Sequence, residues 1–204
     1  MKKFYDRQQE MDQLRDMQQQ AYTDYSRFVV LTGRRRVGKT SLVTRLMEET
    51  AGQAPGLYFF VGRKTEAVLV KTFCEEVRSK LGEYVPEGIV TFRGLMQLLL
   101  EIGKRRCFTL FIDEFQEFDN VNAGVFSDVQ ELWDRYKKDT HLCLVVSGSI
   151  FRMMEKIFSL STGSGLYRTM LPKRRPVISG IPGIPRFALS TTMPSLSKYM
   201  QELM

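Results

Sequence analysis

The sequence predicts an α/β protein in three layers, a parallel sheet with helices on both faces. Strand-like and helix-like segments alternate through the first ~160 residues, the pattern of a parallel sheet built by helical crossovers. The strand segments, such as Arg27-Phe28-Val29-Val30-Leu31-Thr32 and Phe108-Thr109-Leu110-Phe111-Ile112, are unbroken apolar runs, as burial on both faces requires. No segment repeats at a fixed period, which sets solenoids and propellers aside.

In chain order, 6–22 is Gln-rich and helical, with Met11, Leu14 and Met17 at helical spacing. A buried strand follows at 27–32, then a Gly-rich loop and a helix over 39–49 with Leu42, Val43 and Leu46 on one face. A second strand is expected at 57–61, and a helix over 64–81 turning Ala67, Leu69, Val70, Phe73 and Val77 inward. The segment 82–88 is a loop holding Pro86, and 92–103 is a compact apolar helix. The third strand is 108–112, a single long helix is expected over 121–137, and the fourth strand is 142–146. A short helix is expected over 150–158. Beyond that the pattern degrades: five of the seven prolines (Pro172, Pro176, Pro182, Pro185 and Pro194) lie near the end among Ser, Thr and Gly. The expected division is a core domain over 1–165 and an irregular C-terminal tail, a truncated lid remnant, over 166–204.

Composition excludes several functions. Of the 204 residues, 43% are apolar and 26% charged, ordinary for a soluble globular chain. No apolar run approaches the ~18 residues of a membrane span, and the charged start lacks a signal-peptide core, so a cytoplasmic protein with no membrane contact is expected. The lone histidine, His141, is expected in the turn before a strand and leaves no material for a His-based zinc site or a Ser/His triad. Cys74, Cys107 and Cys143 lack metal-ligand spacing and are expected as buried reduced thiols. The net charge of +7 points weakly to polyanions. Its clusters Lys104-Arg105-Arg106 and Lys137-Lys138 fall at predicted helix C-termini, where cations complement the helix dipole.

The chemistry concentrates in three segments. Gly33-Arg34-Arg35-Arg36-Val37-Gly38-Lys39-Thr40 has the spacing G-x-x-x-x-G-K-T between a strand and an amphipathic helix. Such a loop lets successive backbone N–H groups, continuing to Ser41, converge on a phosphate. Lys39 can reach the β- and γ-phosphates, Thr40 can place a hydroxyl on Mg²⁺, and the helix points its positive end at the anion. The strand ending Ile112-Asp113-Glu114 fits a Walker B segment, with Asp113 on Mg²⁺ opposite Thr40 and Glu114 placed to polarise the attacking water. Leu142-Cys143-Leu144-Val145-Val146-Ser147-Gly148-Ser149 ends a buried strand in small hydroxyl residues, and Ser147 or Ser149 can stand between γ-phosphate and water.

Together these residues resemble the archaeal-type ATPases of the STAND/AAA-like branch of P-loop NTPases. The resemblance includes Phe4-Tyr5-Asp6-Arg7-Gln8-Gln9-Glu10, the loop Gly33 to Thr40, Tyr58-Phe59-Phe60-Val61-Gly62-Arg63-Lys64-Thr65, Ile112-Asp113-Glu114-Phe115-Gln116, and Ser147-Gly148-Ser149 followed by Met154-Glu155-Lys156. It implies the P-loop NTPase three-layer α/β/α sandwich with ASCE-type strand order, the polar-ended strand lying between the loop strand and the acidic strand. It also implies ATP with Mg²⁺ as the nucleotide and metal, and it places the segment around Arg7 near the adenine. Members usually continue into a helical lid and a winged-helix domain. The family's L-Y-G-R reads Leu166-Tyr167-Arg168-Thr169 here, one residue short, with Arg168 a candidate phosphate sensor, and Ser197-Lys198-Tyr199-Met200 resembles a later lid motif. The expected function is ATP binding with Mg²⁺-dependent hydrolysis coupled to a conformational switch, and the alternative is a binding switch with little hydrolysis. Expected partners are the nucleotide, a protein or a second copy of the chain, with nucleic acid a weaker expectation.

Overall fold

The structure, a computed structural model, describes residues 7–32, 36–148 and 166–170. Helix α1 covers Gln8–Thr23 and buries Met11, Leu14, Met17, Gln18 and Ala21. Gln18 on this buried face would be costly unpaired, but its amide donates to Thr50 Oγ1 at 3.1 Å and Thr109 Oγ1 at 2.8 Å. The Tyr22 hydroxyl lies 2.8 Å from the same Thr109 oxygen, so α1 is tied to the sheet by polar contacts as well as packing.

Strand β1 is Arg27–Thr32 and α2 is Lys39–Glu49, with Leu42, Val43 and Leu46 buried. Strand β2 runs Gly56–Phe60, and α3 runs Glu66–Leu81 before stopping at Gly82 in the left-handed region (φ 65°). Helix α4, Phe92–Gly103, is capped by Thr91, whose hydroxyl accepts from the Gly94 N–H at 3.2 Å. Strand β3 is Phe108–Asp113, and β4 is Leu142–Gly148. His141 sits immediately before β4.

Three differences from the expected elements have physical reasons. The single helix over 121–137 is instead a 3-10 turn at Phe115–Glu117, a short α5 at Phe118–Val121, and α6 at Val125–Tyr136. Asn122 interrupts it, because its side chain accepts from the Gly124 N–H at 3.0 Å and donates to Glu66 at 2.9 Å, competing with the helical bonds. Ala67 is exposed rather than inward, while its neighbour Glu66 accepts from the Phe92 N–H at 2.7 Å at the start of α4. Five residues assigned by composition to the tail, Leu166–Met170, form a parallel strand β5 against β1. That strand covers backbone groups of β1 that an edge position would leave unpaired. The helix expected at 150–158, Met154 to Lys156, and Ser197 to Met200 lie outside the described residues.

The sheet order is β2-β3-β4-β1-β5, with every pair parallel. Strand β4 therefore separates the loop strand β1 from the acidic strand β3, as the family resemblance implies. Alternation along the strands splits the core into two layers. Val29, Leu31, Phe111 and Val145 face α1 and α2, whereas Phe28, Val30, Leu110, Ile112, Leu144 and Val146 pack with residues of α3, α4 and α6. Phe92 is fully buried in that second layer, 4.5 Å centroid to centroid from Phe118 and 6.3 Å from Phe73. Phe92→Ala is expected to cost ~3–5 kcal/mol, read as a lower urea midpoint at unchanged slope. A loss under ~1 kcal/mol would mean that the layer closes over the vacancy. Among the described residues no helix is long and apolar enough to cross a membrane.

Candidate functional site

The C-terminal ends of parallel strands are where such sheets bind ligands, because strand ends and helix starts converge there. Three of the expected residues meet at that edge. Ile112 pairs with Val146 and Leu31 with Ser147, so one further step sets Asp113 of β3 beside Ser147 of β4. Both side chains emerge on the α1/α2 face, since they alternate with Ile112 and Val146. The Asp113 carboxylate accepts a hydrogen bond from Thr40 Oγ1 at 2.7 Å and another from the Ser147 hydroxyl. Sequence positions far apart are thus joined through one carboxylate.

Tyr58, given no role from sequence, supplies a third donor. It lies on β2 opposite Phe111, on the Asp113 face and two positions back, and its hydroxyl donates to Asp113 Oδ2 at 3.2 Å. Burial first, then the charge of Asp113, pushes this phenol up to about 12, so it remains protonated and a donor at neutral pH. The only sequence signal was an aromatic residue on the strand next to the acidic one.

The loop meets the site from the other side. Gly38 has φ 84° and precedes α2, where the conformation favours glycine. Arg36 also has positive φ, 64°. Gly38 has no side chain to cap α2, which leaves the first N–H groups of the helix directed out of its end. Lys39 is 9% exposed and Thr40 half-buried, while Arg36 and Ser41 are exposed and Val37 is half-buried. Gly33, Arg34, Arg35 and Ser149 lie outside the described residues, as does the Arg168 side chain. Arg7, at the start of α1, packs on this loop: a Cβ at Gly38 would stand 3.6 Å from Arg7 Nη1. That Nη1 is a buried donor with no hydrogen-bond partner among the described residues. The structure therefore sets Arg7 beside the loop.

Glu114 follows Asp113 with φ 55° and ψ 39°, a left-handed conformation rarely taken by a residue with a side chain. Its N–H donates to Asp113 Oδ1 at 3.0 Å, and its carboxylate accepts from the Gln116 side-chain amide. Gln116 was quoted in the motif but given no role.

The donor set suits a hard cation. Among the described residues no group of three or more His, Cys, Asp or Glu gathers to make a metal cage. One carboxylate beside a Thr hydroxyl is instead what Mg²⁺ uses when phosphate oxygens and water complete its shell. Away from the site, four cations of the basic clusters are paired. Lys104 bridges Glu101 at 2.9 Å, Arg105 and Arg106 reach Glu83 at 3.2 and 3.7 Å, and Lys137 bridges Asp134 at 2.7 Å. Cys74 and Cys143 are buried and Cys107 is half-buried, all free thiols, and burial pushes Cys143 up to about 12.

Over residues 4–170 the sequence matches the family described as an ATPase domain predominantly from Archaea. The chain belongs to this family. A further relative of this archaeal ATPase domain is MJECL04, an uncharacterized protein of Methanocaldococcus jannaschii. It is 27% identical over 177 residues, covering 85% of this chain and 36% of that protein. Cdc6p from Pyrobaculum aerophilum and the Walker-type ATPase PABY2304 of Pyrococcus abyssi each have a TM-score of 0.59 at 19% identity. Each likeness covers 82% of this chain, with 46% and 53% of the respective structures. Drosophila ORC bound to DNA has a TM-score of 0.53 at 16% identity over 82% of this chain and 42% of its own. At these identities the likeness is one of fold. The chain spans about a third of the M. jannaschii relative and about half of the first two structures.

Proposed function

We propose that this chain binds ATP with Mg²⁺ at the Thr40–Asp113–Ser147 edge and hydrolyses the β–γ phosphoanhydride, coupling the cycle to a conformational switch. The observation that carries this reading is the Asp113 carboxylate shared by Thr40 of the loop helix and Ser147 of the neighbouring strand, with Glu114 next in sequence.

The backbone from Gly33 through Gly38 to Ser41 cradles the phosphates, with Arg34, Arg35, Arg36 and Val37 contributing N–H groups rather than specific side chains. Lys39 neutralises the β- and γ-phosphate oxygens. Thr40 and Asp113 would hold Mg²⁺, which supplies charge stabilisation to the oxygens around the transferred phosphorus. Glu114 accepts a proton from the water as its oxygen bonds to the γ-phosphorus and the bond to the ADP oxygen breaks. Ser147 is assigned the polar role between the γ-phosphate and the water, which requires its hydroxyl to turn from Asp113. Arg7 Nη1, buried against the loop, has no acceptor among the described residues, and an acceptor atom of the bound nucleotide would supply one.

Binding of ATP and GTP, each with and without Mg²⁺, tests the assignment by calorimetry, with phosphate release followed in parallel. ATP binding that strengthens with Mg²⁺, together with phosphate release, is expected. No binding of ATP at millimolar concentration would sink the reading. Binding without release at any protein concentration would leave the switch alone, whereas release per chain that rises with concentration would indicate a second copy supplying a residue. Nucleic acid, present in the Drosophila ORC structure, is the weaker reading: Lys104, Arg105, Arg106 and Lys137 are engaged by acids of the same chain, and the remaining basic cluster, Lys173-Arg174-Arg175, lies outside the described residues.

A further inference from the structure

We propose that Gln116 is the positioning residue for Glu114, holding the base in place before nucleotide arrives; this rests on the hydrolytic reading above. Three observations carry it. First, Glu114 occupies a left-handed backbone conformation at φ 55°, rarely taken by a residue with a side chain and held here by the turn that follows it. Second, the Gln116 amide donates to Glu114 Oε2, a charge-assisted contact of the stronger kind. Third, Gln116 is 5% exposed and its Oε1 is buried without a hydrogen-bond partner among the described residues, an arrangement that costs stability.

The brace belongs to the same turn as the residue it holds. The Glu117 N–H donates to the Glu114 carbonyl at 2.8 Å, closing the 3-10 turn Phe115–Glu117. Phe115 and Phe118 anchor that turn, 2% and 0% exposed, with their rings 5.7 Å apart edge to face. A hydrogen bond between two residues of one anchored turn does not depend on domain closure. It therefore acts as a fixed support rather than a latch that nucleotide must open. One carboxylate oxygen is held by the amide, which leaves the other to take the proton from water. A buried amide with half its capacity unused is a poor choice for stability, and its contact with a reactive carboxylate supplies the reason for it.

Two measurements separate positioning from structure. Gln116→Met preserves length and apolar volume while removing the amide. The expected result is a kcat lower by about tenfold, with KM for ATP within about twofold of wild type. The urea midpoint is expected to stay level or rise, because the orphaned acceptor disappears together with the hydrogen bond. A structural role would instead lower the midpoint and leave kcat intact in the folded fraction. The second measurement needs no turnover: a nucleotide-free double-mutant cycle with Glu114→Ala. Gln116→Met is expected to raise the midpoint more in the Glu114→Ala background than in wild type, since no contact is then lost. Equal shifts in the two backgrounds, or an unchanged kcat, overturn the proposal. If Glu114→Gln turns over like wild type in the same assay, the base assignment fails instead, and the cycle still decides whether the two side chains are coupled.

Discussion

Glu114→Gln is expected to leave ATP affinity within about twofold of wild type while lowering turnover by about 10²–10⁴-fold, the usual contribution of a positioned general base. The substitution keeps the side chain's length and a carbonyl oxygen that can still accept from Gln116, so the turn at Phe115–Glu117 has no reason to rearrange. It removes the negative charge and with it the capacity to take a proton. Affinity is expected to be spared because the proposed phosphate contacts come from the loop, α2 and Lys39 rather than from Glu114. Single-turnover phosphate release with excess enzyme, beside calorimetric binding, reads the two quantities separately. A variant that releases phosphate at the wild-type rate would remove Glu114 from the mechanism. Asp113, held by three hydroxyls, would then be the residue to examine next.

Lys39→Ala acts on the other quantity. An ammonium on two phosphates makes charge-assisted hydrogen bonds worth about 1.5–3 kcal/mol each, so its removal is expected to weaken ATP binding by about 10²–10³-fold or more. The nucleotide-free melting temperature should change little, because Leu42, Val43 and Leu46 anchor α2 in the core. The control matters, since Lys39 is only 9% exposed. Affinity that stays within about threefold of wild type would mean that the loop backbone alone holds the phosphates. A large drop in melting temperature would mean that Lys39 serves the fold.

Much of the architecture was legible because the signals were local. Strand β1, helix α2 and helix α4 coincide with the segments read from apolar runs and helical spacing, and a parallel sheet follows from their alternation. Elements governed by side chains acting on the backbone were less legible. Asn122 breaks an apolar pattern that continues on both sides of it, and periodicity does not register a hydrogen bond to Gly124 or Glu66. Strand β5 is short and stands next to a Pro-rich stretch. Its pairing with β1 follows from the need of β1 for a neighbour, which composition does not express.

The site divides in the same way. Glycine spacing, a lysine at a helix start and a strand ending in two acids are contiguous features, so the order of residues along the chain sufficed to propose a phosphate loop with Asp113 and Glu114 as its acidic counterpart, and to recognise the family. The contacts of Tyr58 with Asp113, of Arg7 with the loop and of Gln116 with Glu114 came from folding. Tyr58 reaches Asp113 because β2 and β3 pair in one particular register. Arg7 reaches Gly38 because α1 is tied through Gln18 and Tyr22 to Thr109. Gln116 reaches Glu114 because a left-handed residue begins a tight turn. A linear pattern records which groups are present, but a hydrogen bond depends on direction and on distances of a few tenths of an ångström. Those are set by strand register, helix packing and backbone torsion, and none of these is a property of a motif.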